Sequence, residues 1–349
     1  MATLTHPSSG APASGVTIKT VAAHAGVSAQ TVSRVLRGNG YVSEETRRKV
    51  LAAVEAVGYR PNAMGRSLRA TRTPMVGLVI TDITNPFYAR LHKALEAVLR
   101  RRGLTLMLLN SDDNLETEQE QLELVNSYRP RGLLLAPAVR STLTEQDLAS
   151  FGNYVLVSRT IPGVAAPAVV TNEQETMAEA TRELIAAGHR DIVAVLGPSG
   201  ATTTRRREDG YRAAMQAAGL GPLSCYTDQT AGSARHALTE ALRAHPALTA
   251  AVSFNTPVTE GVLAGLSDMK LFCPEDFSLI GFTDAPWMEF FRPPISVIAQ
   301  PVEAMGERAA ELMLDLIDGR EVAPVEHVVP GRLLRRGSVG APRSARYPE

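Results

Sequence analysis

Cysteine is nearly missing from this chain. Only Cys225 and Cys273 occur in 349 residues, far apart and without metal-ligand spacing, which excludes a disulfide scaffold or a zinc ribbon and leaves reduced thiols as the expectation. No stretch approaches the roughly 18 consecutive apolar residues of a membrane span. The opening MATLTHPSSGAPASG has neither the basic nor the apolar region of a secretory signal, so a cytoplasmic protein without membrane contact is expected. Signatures of catalysis are missing as well: there is no GxSxG, no HExxH, no P-loop and no GxGxxG at a strand-to-helix turn. The seven histidines do not pair with cysteine or carboxylate at ligand spacing. An enzyme is not expected, nor a metal, nor a cofactor. Finally, no acidic residue precedes Glu44.

That last gap is informative because the whole chain is neutral, with 36 basic and 36 acidic residues. Residues 1–72 hold ten Lys or Arg against three acids, a surplus of seven, and the remainder carries 26 against 33. A basic head on an acidic body points to nucleic acid as a partner. The length exceeds one ordinary core, and 44% hydrophobic with 21% charged residues is the composition of folded domains, so two or three are expected.

The basic segment has its own apolar periodicity, which a mere flexible tail would lack. After a Pro-, Ser-, Ala- and Gly-rich leader read as a disordered arm (1–15), Thr17 can cap a helix with Ile18, Val21, Ala22 and Ala25 on one face, ended by Gly26. Ser28 can cap a second helix, Ala29 to Leu36, that buries Val32, Val35 and Leu36. Ser43 can cap a third, with Val50, Leu51, Val54 and Val57 at helical spacing before Gly58. This is helix-turn-helix spacing over 16–60. The second helix leaves Ala29, Gln30, Ser33, Arg34 and Arg37 off its core. Gln reads adenine edges, Arg reads guanine, and an Ala methyl meets a thymine methyl.

From Pro74 the pattern changes to strands alternating with amphipathic helices, with strand-like runs at Met75–Ile80, Leu104–Leu109, Gly132–Leu135, Tyr154–Val157, Ile192–Leu196, Ala250–Phe254 and Phe277–Phe282. A weak internal echo between 75–110 and 191–227 suggests two similar α/β lobes, with a ligand cleft at the carboxyl ends of their strands.

The run from Val16 to Thr73 resembles the DNA-binding head of the lactose-repressor (LacI/GalR) family of bacterial transcription regulators. The resemblance continues in family order through MVGLVITDITNPFYARL, YVLVSRT, LIAAGHRDIVAVLGP, FSLIGFTDAPW and PPISVIAQP. It implies an α plus α/β protein: a helix-turn-helix head, a hinge helix in 61–73, a two-lobed periplasmic-binding-protein-like core over 74–339 whose chain crosses between lobes three times, and a flexible tail, 340–349. Position by position it implies that Ala29, Gln30 and Arg34 touch base edges. Thr17, Ser28, Thr31 and Ser33 hold phosphates, Asn62 begins the hinge helix, and Leu68 wedges into the minor groove.

For the core, the resemblance places effector contacts in loops leaving strand ends: Asp82, Phe87 and Tyr88, then Arg159, Asn255, Asp284 and the only tryptophan, Trp287. In the run Arg205–Arg206–Arg207 neighbouring side chains point apart, and Arg205 is assigned to the ligand. Four positions depart from the family pattern. Ala29 has no hydrogen-bonding group, Gly65 weakens the hinge helix, and Thr256 and Thr283 stand where acids are common. The effector is expected to be a sugar, sugar acid or sugar phosphate; with those acids missing and Arg159 and Arg205 present an anionic one is favoured, while Asp82 or Asp284 could neutralise an arginine internally and restore a neutral-sugar site. The chain lacks a C-terminal leucine heptad, so a homodimeric repressor on double-stranded operator DNA is expected, not a tetramer. Two other readings stay open: a sugar-binding transport protein, which would leave 16–73 unexplained, and a three-helix interaction module on a sensor core.

Overall fold

The computed structural model describes residues 16–37, 41–59 and 72–342. The arm, the Gly38–Gly40 loop, and the hinge positions Pro61, Asn62, Gly65 and Leu68 lie outside the described residues. The chain divides into two compact units, residues 1–71 and 72–349.

In the first unit three helices, α1 (Ile18–Ala25), α2 (Ala29–Arg37) and α3 (Glu44–Ala56), close a small core. Val21, Val32 and Val50, one from each helix, are fully buried in it. Gly26 ends α1 at φ 66°, the left-handed region in which a side chain would be strained. Ser28 starts α2 by accepting from the Thr31 amide at 3.1 Å, and Ser43 starts α3 by accepting from Thr46 at 3.3 Å. Leu51 departs from the periodicity reading: it is exposed, because Val50, Ala53 and Val54 already fill the face of α3 that meets α1 and α2.

The second unit holds two six-stranded sheets. The first lobe contains β1 (Met75–Ile80), β2 (Thr105–Asn110), β3 (Gly132–Leu135), β4 (Tyr154–Val157), β5 (Ala168–Val170) and β11 (Glu326–Val328), in the order β11-β5-β4-β3-β1-β2. The second contains β6 (Ile192–Leu196), β7 (Leu223–Tyr226), β8 (Ala250–Ser253), β9 (Ser278–Phe282), β10 (Ser296–Ala299) and β12 (Arg332–Leu334), in the order β12-β10-β9-β8-β6-β7. All pairings are parallel except β10 with β12. The shared order reflects the internal echo. Parallel strands are covered on both faces, and accordingly β3, β6 and β9 are buried along their whole length.

Helices α4 (Pro86–Arg101), α5 (Leu115–Ser127), α6 (Glu145–Ala149) and α12 (Val302–Ile317) pack with the first sheet. On the second sheet lie α7 (Glu173–Ala186), α8 (Thr202–Ala217), α9 (Ala231–Ala244) and α10 (Thr256–Asp268), with the short α11 (Pro286–Phe290) near β10. Leu91, Leu95 and Leu99 form a fully buried stripe of α4 against Met305, Ala309 and Met313 of α12. Each such leucine contributes about 2 kcal/mol of burial. The two helices approach so closely that a Cβ on Gly306 would lie 2.6 Å from that of Ala94.

The chain passes between the lobes after β5, after β10 and between β11 and β12, three times in all. These crossings are tied together: Gln300 donates to the Thr171 hydroxyl at 3.4 Å, and the Gly331 amide donates to Asn172 at 2.8 Å. Two boundaries shift from the sequence reading. Arg72 and Thr73 belong to the core and not to the hinge, since Arg72 donates to Pro130 O at 2.9 Å and the Thr73 amide to Arg129 O at 2.9 Å. Gly340 is anchored as well, its amide donating to Ser278 at 3.0 Å, so the packed chain runs past the start assigned to the tail.

Candidate nucleic-acid face and ligand cleft

On α2, Gln30 and Arg34 are exposed and share one face one turn apart, with Ser33 half-buried beside them. Ala29 does not stand free of the core as the periodicity suggested; it is half-buried against it. Two hydroxyl pairs mark helix starts. Those of Ser28 and Thr31 lie 2.9 Å apart, and those of Thr17 and Thr20 lie 3.2 Å apart. In each pair one O–H is used internally and one remains free to donate to an anion. Helix N-termini add their own partial positive charge.

Between the lobes of the core lies a cavity of about 30 Å³ lined by Asn85, Phe87, Tyr88, Ser158, Arg159, Thr203, Arg207, Gln229, Phe254, Asn255, Thr283 and Gln300. It therefore brings together Phe87, Tyr88, Arg159 and Asn255 of the sequence reading. Phe87 and Tyr88 follow the cap of α4, where Asn85 accepts from the Phe87 amide at 3.1 Å. Their rings meet edge to face at 5.1 Å. Tyr88 accepts from Thr81 at 2.9 Å, and burial pushes its phenol up from the ordinary value. Asn255 caps α10 by accepting from Val258 at 2.9 Å. Thr283 donates to Gln300 at 2.6 Å, and Thr256 donates to Thr283 O at 3.1 Å, so both threonine hydroxyls have partners within the protein.

The other four predicted residues do not line this cavity. Asp82 folds back on its own turn, accepting from the Thr84 amide at 2.8 Å. Asp284 holds Arg336 through two 2.8 Å bonds. Trp287, on α11 itself, packs against Phe291 with ring centroids 6.2 Å apart. Arg205 is exposed and lines a separate outer cavity of about 360 Å³ with Pro137, Arg140, Arg159, Thr160 and Thr202.

The arginine that enters the inner cavity is Arg207. On α8 the buried positions are Thr203, Thr204, Arg207, Gly210, Tyr211, Ala214 and Met215, a helical stripe that Arg205 misses by two residues. Tracing Tyr211 and Ala214 back by one turn would have found it. Arg207 is sandwiched between the rings of Phe254 (4.2 Å) and Phe282 (3.8 Å). It donates to Glu173 at 3.1 and 2.5 Å and to Phe254 O. Burial raises the Glu173 carboxyl and lowers the Arg207 guanidinium, each charge opposing that shift in the other.

Arg159, 4% exposed, is likewise paired, donating to Asp113 at 2.7 and 3.2 Å and to Pro137 O at 3.2 Å. Asp113, from the loop after β2, and Glu173, from the first turn of α7, were both missed by sequence reasoning. They remove the premise for an anionic effector, since neither inward arginine lacks a protein carboxylate. Two atoms in this neighbourhood, Glu173 Oε2 and Thr203 Oγ1, are buried without a hydrogen-bond partner among the described residues.

A chain with an exposed recognition-type helix in a basic three-helix unit, and a polar cavity between two crossed-over α/β lobes in another, has the makings of a ligand-sensing DNA-binding regulator. Residues 17–62 match the model for bacterial regulatory proteins of the lacI family, and residues 181–339 match that for a periplasmic binding protein-like domain. The HTH-type transcriptional regulator GalR of Escherichia coli (strain K12) is 32% identical over 333 residues, 93% of this chain and 96% of that protein. A transcriptional regulator CelR–cellobiose complex is 31% identical, with a TM-score of 0.71 over 93% of this chain and 99% of the other. The lac repressor dimer bound to operator and the anti-inducer ONPF superimposes with a TM-score of 0.82 over 94% of this chain and 100% of the other; at 22% identity that likeness concerns fold.

The chain belongs to the lacI family of bacterial regulatory proteins. It is a DNA-binding transcription regulator and not an enzyme, which sets aside the transport-protein and interaction-module readings. Among the described residues no helix is long and apolar enough to cross a membrane.

Proposed function

We propose that this regulator represses transcription as a homodimer on a pseudo-palindromic operator, one head per half-site, and that a neutral polyhydroxylated ligand such as a sugar, bound between the core lobes, sets its operator affinity. The observation that carries the DNA reading is the exposed Gln30–Arg34 face of α2, in a unit whose residues 1–71 carry nine Lys or Arg against three acids, a surplus of six. Gln30 and Arg34 contact base edges, with the Ala29 methyl beside them. The hydroxyls of Thr17, Ser28, Thr31 and Ser33 meet phosphates, and Asn62 and Leu68 act from the hinge.

The ligand reading rests on charge. Arg159 with Asp113 and Arg207 with Glu173 leave the inner cavity neutral overall, and Phe87, Tyr88 and Asn255 offer ring faces and amide groups that suit a sugar. The cavity, at about 30 Å³, has room for water molecules only, so the lobes must part to admit a sugar. A ligand that prefers one lobe spacing shifts the equilibrium between states and with it the DNA affinity.

A mobility-shift titration with the DNA upstream of the protein's own gene tests the reading. A saturable shift that survives non-specific competitor, at a stoichiometry of two chains per site, is expected. No specific shift at micromolar protein, or a monomer on the operator by sedimentation, would overturn it.

A further inference from the structure

The inner cavity ends on a contact made across the lobes. Gln229 belongs to the second lobe, just beyond β7, and its carboxamide reaches the buried ion pair of the first. Its Nε2 donates to Asp113 Oδ2 at 2.8 Å, and its Oε1 accepts from Arg159 Nη2 at 3.3 Å. One acceptor and one donor, side by side, thus satisfy a guanidinium and a carboxylate together. The backbone is set for the task. Gln229 lies at φ 72°, a region L side chains rarely adopt, and its amide is held by Thr227 Oγ1 at 3.1 Å. Asp113, at φ 55°, is fixed from the other side by the Val139 amide at 2.8 Å. Arg159 is shared by the walls of the inner and the outer cavity, so this cluster stands where the two meet.

We propose that Gln229 determines ligand specificity by acting as a built-in stand-in for the ligand: its carboxamide holds the place that a neutral vicinal diol would take on the Asp113–Arg159 pair and latches the two lobes together until a ligand displaces it. A vicinal diol offers the same adjacent donor and acceptor, whereas a carboxylate offers two acceptors and would face Asp113 with like charge. Ligands are selected by whether they can replace the amide. Once it is displaced, the inner cavity opens toward the outer one of about 360 Å³, and a ligand larger than one ring can be held. The proposal builds on the ligand reading above but can fail separately, because its test needs neither operator DNA nor the physiological effector.

The test measures the distance between the lobes by pulsed electron paramagnetic resonance. Nitroxides are placed on the full-length chain at the exposed positions Gln146 and His236, with Cys225 and Cys273 replaced by Ala in every sample. With labelled chains diluted in an excess of unlabelled chain, so that each dimer carries one labelled protomer, the reference protein should give one narrow distribution. Gln229→Ala and the near-isosteric Gln229→Met should both broaden it and move it to longer distances by several ångström, with melting temperature and circular dichroism confirming that each variant is folded. In Gln229→Ala, acetamide or glycerol at high millimolar concentration should restore the narrow distribution, and acetate should not. Unchanged distances in both variants would overturn the latch, and acetate restoring closure as well as glycerol would overturn the neutral-diol assignment.

Discussion

The two units of this chain use positive charge in opposite ways. In the head, the one ion pair among the described residues is Lys49 with Glu45, at 2.8 Å on the surface of α3, and Arg34 on α2 faces outward without a carboxylate. In the core, 12 of the 23 described arginines form ion pairs, and both buried ones do, Arg159 with Asp113 and Arg207 with Glu173; Arg336 with Asp284, Arg90 with Glu303 and Arg102 with Asp318 are further examples. An unpaired surface arginine keeps its counterions until a polyanion displaces them. A buried arginine must bring its partner with it, because an unpaired buried charge is too costly to keep. The same residue type therefore reports an external partner in one unit and an internal one in the other.

The largest effect should come from unpairing the core. Glu173→Gln leaves Arg207, 4% exposed, without its counter-charge and should cost about 3 to 5 kcal/mol in denaturant unfolding of the core. A loss below about 1 kcal/mol would mean that Arg207 does not depend on the pair. The matching experiment in the head, Arg34→Ala, should leave thermal stability unchanged while costing about 1 to 3 kcal/mol on the operator. If non-specific DNA binding fell by as much as operator binding, Arg34 would be a phosphate contact and not a reader of bases.

A smaller effect should separate the units by pH. His189, 1% exposed in the core, sits 2.8 Å from Thr249 Oγ1 and 3.0 Å from Gly340 O, and burial pushes its imidazole below the usual value. A depressed histidine is neutral in the folded state and takes up its proton more readily when unfolded. Its contribution is therefore complete above about pH 6.5 and lost as the pH falls from there through the depressed folded value. The stability of the core against denaturant should fall over that window. His189→Gln should flatten the dependence, and the head should not share it. The smallest effect belongs to the exposed pair in the head: Glu45→Ala should leave the melting temperature within error.

Much of this was legible in the sequence, for reasons that differ by element. β1, β3, β4 and β6 carry near-continuous branched apolar runs, and their limits were readable to the residue. β5, β11 and β12 are three residues each, and the exposed edge strand β11, with Glu, His and Val, has no periodicity to find. The helix caps of the head followed from Thr17, Ser28 and Ser43 because capping is local. The cleft did not follow as readily. Arg207 was two residues from Arg205, a matter of phase that only the packed face of α8 settles. Asp113, Glu173 and Gln229 come from three segments far apart in sequence, and no local rule links a loop after β2 to one after β7.

The triple crossing also bears on how the protein is made. Head residues 16–59 are close in sequence, so that unit can fold soon after it leaves the ribosome. Neither core lobe can. β11 and β12 are separated by three residues, and each supplies an edge strand to a different sheet, so a nascent chain that has not yet emerged beyond residue 334 leaves both lobes unfinished. A basic head able to meet DNA exists throughout synthesis of a sensor that is completed only at its end. Premature chain termination anywhere before β11 would therefore release basic heads lacking a finished sensor, and these would meet DNA without answering to the ligand.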